Sequence, residues 1–124
     1  MIDHVSITVR DLAAAAALYT RVLAPLGLTQ LVTRDATAGF GKRYPEFWLN
    51  ARSDAPIDAD TGAHICLRAP DEAVVRAFYA AALAGGCTSD RAPGPYDGAQ
   101  VAYFAAFIRD PDGNRIEAAT FARP

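Results

Sequence analysis

The chain contains two histidines, and both fall at the same place in an internal repeat. Displaced by 60 residues, His4-Val5-Ser6-Ile7 lies on His64-Ile65-Cys66-Leu67 and Asp11 lies on Asp71. Ala13 then meets Ala73, Ala17 meets Ala77, Tyr19 meets Tyr79, and Leu23-Ala24 meets Leu83-Ala84. Self-similarity at a fixed period means that one supersecondary unit is built twice. Whatever the fold is, it must be assembled from two like halves.

Each half opens with a strand and continues with a helix. Residues 2–9 alternate with period two. Asp11 is suited to cap a helix whose apolar stripe is Leu12, Ala15, Ala16, Tyr19, Val22 and Leu23, stopped by Pro25 and Gly27. The second half repeats this with a strand at 63–69, an Asp71 cap, a stripe of Val74, Val75, Phe78, Tyr79, Ala82 and Leu83, and Gly85-Gly86 at the end. Strand-like runs follow at 28–34, 37–42 and 45–51, and again at 86–91, 100–109 and 114–121. Asp110-Pro111-Asp112-Gly113 is a turn signal that makes the last two a hairpin, whereas the Pro- and Gly-containing stretch 91–98 reads as a loop. The expectation is a single α+β domain, 1–124, built as two βαβββ modules in tandem. The first spans 1–51 and the second 63–124, joined by a polar linker at 52–62. Helices cover one face of the sheet and the other face is free to line a cavity.

Alternation decides which side chains reach that free face. With Val5, Ile7 and Val9 under the helix, His4, Ser6 and Thr8 point away from it. Likewise Ile65, Leu67 and Ala69 turn inward while His64, Cys66 and Arg68 turn outward. Ile116 and Ala118 place Glu117 on the free face, and Phe47 and Leu49 place Glu46, Trp48 and Asn50 there. Two imidazoles and one carboxylate from three strands are the ligand set of a divalent ion (Fe, Ni, Zn, Mn or Co) with open coordination positions.

His-Val-Ser-Ile-Thr-Val-x-Asp-Leu at the start, Leu18-Tyr19, Val22-Leu23-Ala24-Pro25-Leu26-Gly27 and the closing Asp-Pro-Asp-Gly-Asn-Arg-Ile-Glu resemble the vicinal oxygen chelate superfamily. Glyoxalase I, extradiol dioxygenases and bleomycin- and fosfomycin-resistance proteins belong to it. The resemblance covers essentially the whole chain and implies helices outside a cup-shaped mixed sheet. It implies that His4, His64 and Glu117 hold the metal, and that the substrate chelates it through two neighbouring oxygens. Glyoxalase-type members carry a fourth ligand, Glu or Gln, where this chain has Trp48. Indole cannot bind a metal, which argues against glyoxalase I proper. A strand shifted by two residues would bring in Glu46 instead. The resemblance leaves two classes of function open: a lyase, isomerase or ring-cleaving dioxygenase, or a metal-free protein that sequesters a small molecule such as an antibiotic. In several relatives the modules pair between subunits and in others within one chain; the linker at 52–62 allows either arrangement, and the expectation is a homodimer.

Other residues take roles around this set. Glu117 is the candidate acid–base group, with Tyr96 and Tyr103 as candidate donors of a proton or hydrogen bond to a substrate oxygen. Trp48, Asn50 and Glu46 would line the pocket, and Arg68 would clamp a substrate carboxylate through two parallel hydrogen bonds. Each has a plainer reading: Trp48 and Tyr103 as core, Arg68 as a strand-end cation in solvent, Glu117 as an ion pair with Arg68 or Arg115. Composition narrows the rest. At 52% hydrophobic residues the chain can bury a core. A net charge of −2 with eleven scattered arginines and one lysine leaves no footprint for nucleic acid or a membrane surface. No apolar run is long enough to span a bilayer, and two cysteines without a CxxC pair suit a reducing, cytoplasmic setting.

Overall fold

A computed structural model describes residues 1–57, 60–97 and 101–121. Strand β1 (Val5–Val9) leads into helix α1 (Leu12–Leu23), a 3-10 turn (Ala24–Leu26), and strands β2 (Thr29–Thr33), β3 (Thr37–Gly41) and β4 (Phe47–Ala51). Strand β5 (Ile65–Arg68), helix α2 (Glu72–Ala84) and strands β6 (Thr88–Asp97), β7 (Ala102–Arg109) and β8 (Arg115–Phe121) follow in the same order. The strands form two four-stranded sheets, β1-β4-β3-β2 and β5-β8-β7-β6. In each, the first strand pairs in parallel with the last and the others pair antiparallel. The repeat seen in the sequence is thus a repeat of topology: an α+β fold of two like mixed sheets, each with one helix.

Both helices begin where the two aspartates predict. Asp11 accepts from the Ala14 N–H at 3.1 Å and Asp71 from the Val74 N–H at 2.9 Å, each satisfying one of the free donors of a first turn. Ala15, Leu18, Tyr19, Val22 and Leu23 of α1 and Val75, Phe78 and Ala82 of α2 are buried in one core with Val9, Phe47, Leu49, Ile116 and Ala118 of the sheets. Leu83 departs from its expected stripe and is 39% exposed, being rotated about 100° from Ala82 and away from the sheet. Leu18, outside the expected stripe, is buried because the helices also pack on each other. A Cβ on Gly85, at the end of α2, would lie 2.4 Å from Leu18 Cδ1, so the missing side chain permits that approach.

The segment 91–97, expected as a loop, is strand. It extends β6 and pairs with β7 through Gly94↔Ala105, Pro95↔Phe104, Tyr96↔Tyr103 and Asp97↔Ala102, with irregularities on either side of Arg91. Two prolines are tolerated because β6 is an edge strand, where a missing N–H can face away from the ladder. Residue 98 of the expected loop lies outside the described residues. The first strands are shorter than expected, β1 starting at Val5 and β5 at Ile65, so each histidine sits one residue before its strand.

The hairpin turn of the second sheet is docked on the first. Asp110, 5% exposed, accepts from the Tyr19 hydroxyl at 2.6 Å, the Asn114 side-chain amide at 2.9 Å, and the Asp112 and Asn114 N–H groups at 2.9 and 2.8 Å. Asp112 accepts from the Arg10 N–H at 3.0 Å, and the Asn114 amide donates to Thr8 O at 2.8 Å. The last two contacts engage the free edge of β1 and mimic a neighbouring strand. At the base of the hairpin Asp90 is held by Arg115 and by Arg109, whose Nε lies 3.5 Å away. Burial raises the Asp90 carboxyl, but both guanidinium groups outweigh it and the net shift is downward from 3.8. A lowered carboxyl contributes stability above its unfolded value and loses it as pH falls through the folded one. Unfolding of the Asp90→Asn variant, measured from pH 7 down to about 2, should therefore show a shallower acid-side loss than the parent. Superimposable slopes would contradict this.

Candidate functional site

The faces opposite the helices carry the chemistry-bearing residues, one set on each sheet. On the first sheet the register Ser6↔Trp48, Thr8↔Asn50, Thr37↔Asn50 and Gly39↔Trp48 brings polar side chains around the indole. A Cβ on Gly39 would lie 3.0 Å from Trp48 Cζ3, so the bare glycine is what lets the ring lie against β3. The Arg34 guanidinium stands over the ring at 5.7 Å. His4 borders the same basin of about 380 Å³, its Nδ1 2.8 Å from Asp3 Oδ1 and its ring exposed. Glu46 lies just before β4, where its N–H donates to Phe40 O and its carbonyl accepts from Val5 N–H. Trp48, not Glu46, is thus the residue within the strand beside Ser6.

On the second sheet Glu117 is 4% exposed. Its Oε1 is 3.2 Å from His64 Nε2, whose side chain is 39% exposed. Neither of the cations considered for Glu117 reaches it: Arg115 is hydrogen-bonded to Asp90, and Arg68 lies over the Phe121 ring at 4.7 Å. Cys66, directly across from Glu117 in the ladder, has its thiol pushed up to about 12 by burial and then by the charge and hydrogen bond of Glu117. A thiol so raised is a poor nucleophile near neutral pH. Tyr96, Ala105, Phe107 and Ala119 form a small apolar cluster on this face, with Tyr103 and Phe121 against it. Burial is the main cause that raises both tyrosine hydroxyls; the charge of Glu117 adds to it in each, and Arg91 opposes it, more at Tyr96 than at Tyr103. Each would act as a neutral hydrogen-bond donor.

The structure thus brings His64, Glu117, Tyr96, Tyr103 and Arg68 to one face and His4, Trp48 and Asn50 to another. Among the described residues no group of three His, Cys, Asp or Glu converges. The His64–Glu117 pair nevertheless suits a cation. Two donors each about 2.1 Å from one ion and at right angles to it stand about 3 Å apart. Within one chain the set supplies two ligands, and the third expected ligand, His4, belongs to the other sheet. Between the modules a cleft of about 670 Å³ runs along β1 and past His64, lined also by Thr8, Arg10, Asn114 and Arg115. β1 and β5 are both edge strands there.

Tyr96, Tyr103 and Phe121 form a stacked row across three strands, with centroids 5.7 and 5.1 Å apart. Counting outward from the Asp110–Gly113 turn pairs Tyr103 with Phe121, so half of the row follows from the hairpin alone. Tyr96 enters only because 91–97 is strand.

The sequence profile of the Glyoxalase/Bleomycin resistance protein/Dioxygenase superfamily matches residues 1–118. No curated protein matches the sequence. Among solved structures, a glyoxalase/bleomycin resistance protein from Albidiferax ferrireducens is 30% identical, with 95% of this chain and 97% of that chain covered and a TM-score of 0.84. A family enzyme from Burkholderia phytofirmans is 18% identical over 98% of each chain, with a TM-score of 0.72. A fosfomycin resistance protein from Listeria monocytogenes shares the fold at 14% identity, over 98% of this chain and 93% of that one, with a TM-score of 0.72. No helix among the described residues is long and apolar enough to cross a membrane. With the profile spanning both halves of the repeat, this chain belongs to the glyoxalase/bleomycin resistance protein/dioxygenase superfamily.

Proposed function

We propose that the chain is a metal-dependent enzyme that acts on a small molecule bearing two neighbouring oxygens, in a reducing cytoplasmic setting. The observation that carries this reading is the buried carboxylate of Glu117 set 3.2 Å from His64 Nε2 on an open sheet face. A carboxylate withdrawn from water demands a cationic partner, and a half-exposed imidazole supplies only a conditional one. His64 and Glu117 would hold a divalent ion (Fe, Ni, Zn, Mn or Co), and His4 of the partner subunit would complete the set in a homodimer. The free edge of β5 and the cleft beside it support such pairing. When bound, the ion would act as a Lewis acid toward the substrate's oxygens.

The chain's own residues do the rest. To move a proton on the second face Glu117 would have to leave the ion, and Tyr96 and Tyr103 would donate hydrogen bonds to developing charge. Trp48, Asn50 and Glu46 would wall the opposite side, contributed with His4. Trp48 in place of a carboxylate or amide keeps the reading away from glyoxalase I proper and toward another lyase, isomerase or a dioxygenase. The aromatic cladding of the second face and its two-donor set within one chain favour a second reading, a protein that sequesters a small molecule without metal.

Elemental analysis of untagged protein separates the two. After reconstitution with Fe(II), Ni(II), Zn(II) or Mn(II), about one ion per chain is expected, lost in His64→Ala and weakened in His4→Ala. Protein that stays empty with all four ions would overturn the enzyme reading and leave the sequestering one.

A further inference from the structure

The stacked row on the second face ends in an arginine on each side. Arg91 lies over Tyr96 at 3.6 Å and Arg68 over Phe121 at 4.7 Å, so the order across the sheet is Arg91, Tyr96, Tyr103, Phe121, Arg68. The backbone of Arg91 is opposite Phe107, which is opposite Glu117, so the row runs beside the His64–Glu117 pair. Stacking uses the flat face of a guanidinium and leaves its in-plane N–H fork free. Arg10, Arg109 and Arg115 all have carboxylate partners, whereas among the described residues no ion pair forms at Arg68 or Arg91. The acids near this face are already occupied, Glu117 by His64 and Asp90 by Arg109 and Arg115. The chain as a whole carries a net charge of −2, yet among the described residues Arg68 and Arg91 on this face have no ion-pair partner.

We infer that the ligand of this face carries an oxyanion, taken by the forks of Arg68 and Arg91 at the ends of the aromatic row. The assignment rests on this face being the substrate face, as proposed above, and does not depend on the metal. Each guanidinium already rests against its ring, at 3.6 and 4.7 Å, before the ligand arrives, so less side-chain freedom is lost on binding. Carboxylate and phosphate share the required geometry, since both accept paired parallel hydrogen bonds from one guanidinium. The aromatic edges between the arginines would contact the apolar body of the ligand.

The test uses four probes that share a phenyl ring and differ in the head group: benzoate, phenyl phosphate, neutral benzyl alcohol and cationic benzylamine. Their binding is followed by ligand-observed NMR in the presence of a chelator, so that failure of the metal reading leaves the result intact. Benzoate or phenyl phosphate should bind at least about tenfold more tightly than benzyl alcohol, and benzylamine should be the weakest. The tighter of the two anions identifies the source of the oxyanion. The variant Arg68→Met/Arg91→Met should lose about tenfold for the anions and nothing for benzyl alcohol. Arg76→Met serves as control, because Arg76 stands 4.9 Å over Phe104, outside the row. It should bind like the parent, and circular dichroism checks that all variants are folded. Equal binding of anionic and neutral probes, no binding of either anion, or unchanged anion binding in the double variant would each overturn the assignment.

Discussion

Replacing Asp110 by alanine should destabilise the protein by about 4 kcal/mol, the largest loss expected from any single polar side chain here. Four donors converge on this carboxyl: the Tyr19 hydroxyl, the Asn114 amide, and two backbone N–H groups of the turn. Alanine would orphan them together, and a buried donor left without a partner costs about 1–3 kcal/mol. For a chain of this length the loss corresponds to a fall in Tm of roughly 12–20 °C. Tyr19→Phe removes one of the four bonds and should cost about 2 kcal/mol. The Tyr19→Phe/Asp110→Ala double variant should then cost less than the sum, since both report the same bond. Burial outweighs the hydrogen bonds at Asp110 and raises its carboxyl above 3.8. A raised folded value means stability that is present in acid and eroded as pH climbs through it. The gap between parent and Asp110→Ala should therefore narrow from pH 4 toward neutrality. Thermal melts in which Asp110→Ala lies within about 1 kcal/mol of the parent would refute the role given to this turn.

That role shows where sequence reasoning stops. Asp110-Pro111-Asp112-Gly113 announces a turn through local chemistry, and the turn is there. Nothing local says that Asp110 will turn inward to Tyr19, which lies 91 positions earlier, or that Asn114 will reach Thr8. Residues equivalent by the repeat diverge for the same reason. Tyr19 meets Asp110 in the core, whereas its counterpart Tyr79 donates to Ser89 near the surface. What was legible depends on periodicity or on capping: the two helices, both aspartate caps, the order of strands, and the face to which Glu117 and Trp48 turn. Those properties need only a few neighbouring residues. The stretch 91–97 reads as a loop because proline and glycine break a central strand; on an edge they are tolerable, and edge position is a tertiary fact. The histidines were legible as a pair in register, but register along the chain does not place them together in space. His4 and His64 end on different sheets, each one residue outside its strand. The arginine-ended aromatic row combines both kinds of information. Its Tyr103–Phe121 step follows from the hairpin, and its Tyr96 step from the edge strand.

Glu117→Met should separate stability from function on the second face. Without metal, the carboxylate of the parent is held in apolar surroundings among Tyr96, Phe107 and Ala119, with one half-exposed imidazole as its ionic partner. Methionine removes the buried charge, and the partner it leaves behind, His64, is 39% exposed and open to water, so no buried ion is orphaned. In chelator, Glu117→Met should therefore unfold at the same denaturant concentration as the parent or a higher one. Glu117→Ala makes the contrast, because it leaves a void and should be less stable than Glu117→Met. Added metal reverses the order. A ligand that binds only the folded state stabilises it by about 2.7 kcal/mol at a hundredfold excess over its Kd. The parent should gain this and Glu117→Met should gain nothing, with turnover reduced at least about a hundredfold. If Glu117→Met is markedly less stable than the parent in chelator, Glu117 is a structural pillar of the sheet rather than a strained ligand. If metal stabilises both proteins equally, the ion binds elsewhere and Glu117 is not a ligand. Protection of the parent alone would mean that the carboxylate is kept in an unfavourable place for the ion it holds.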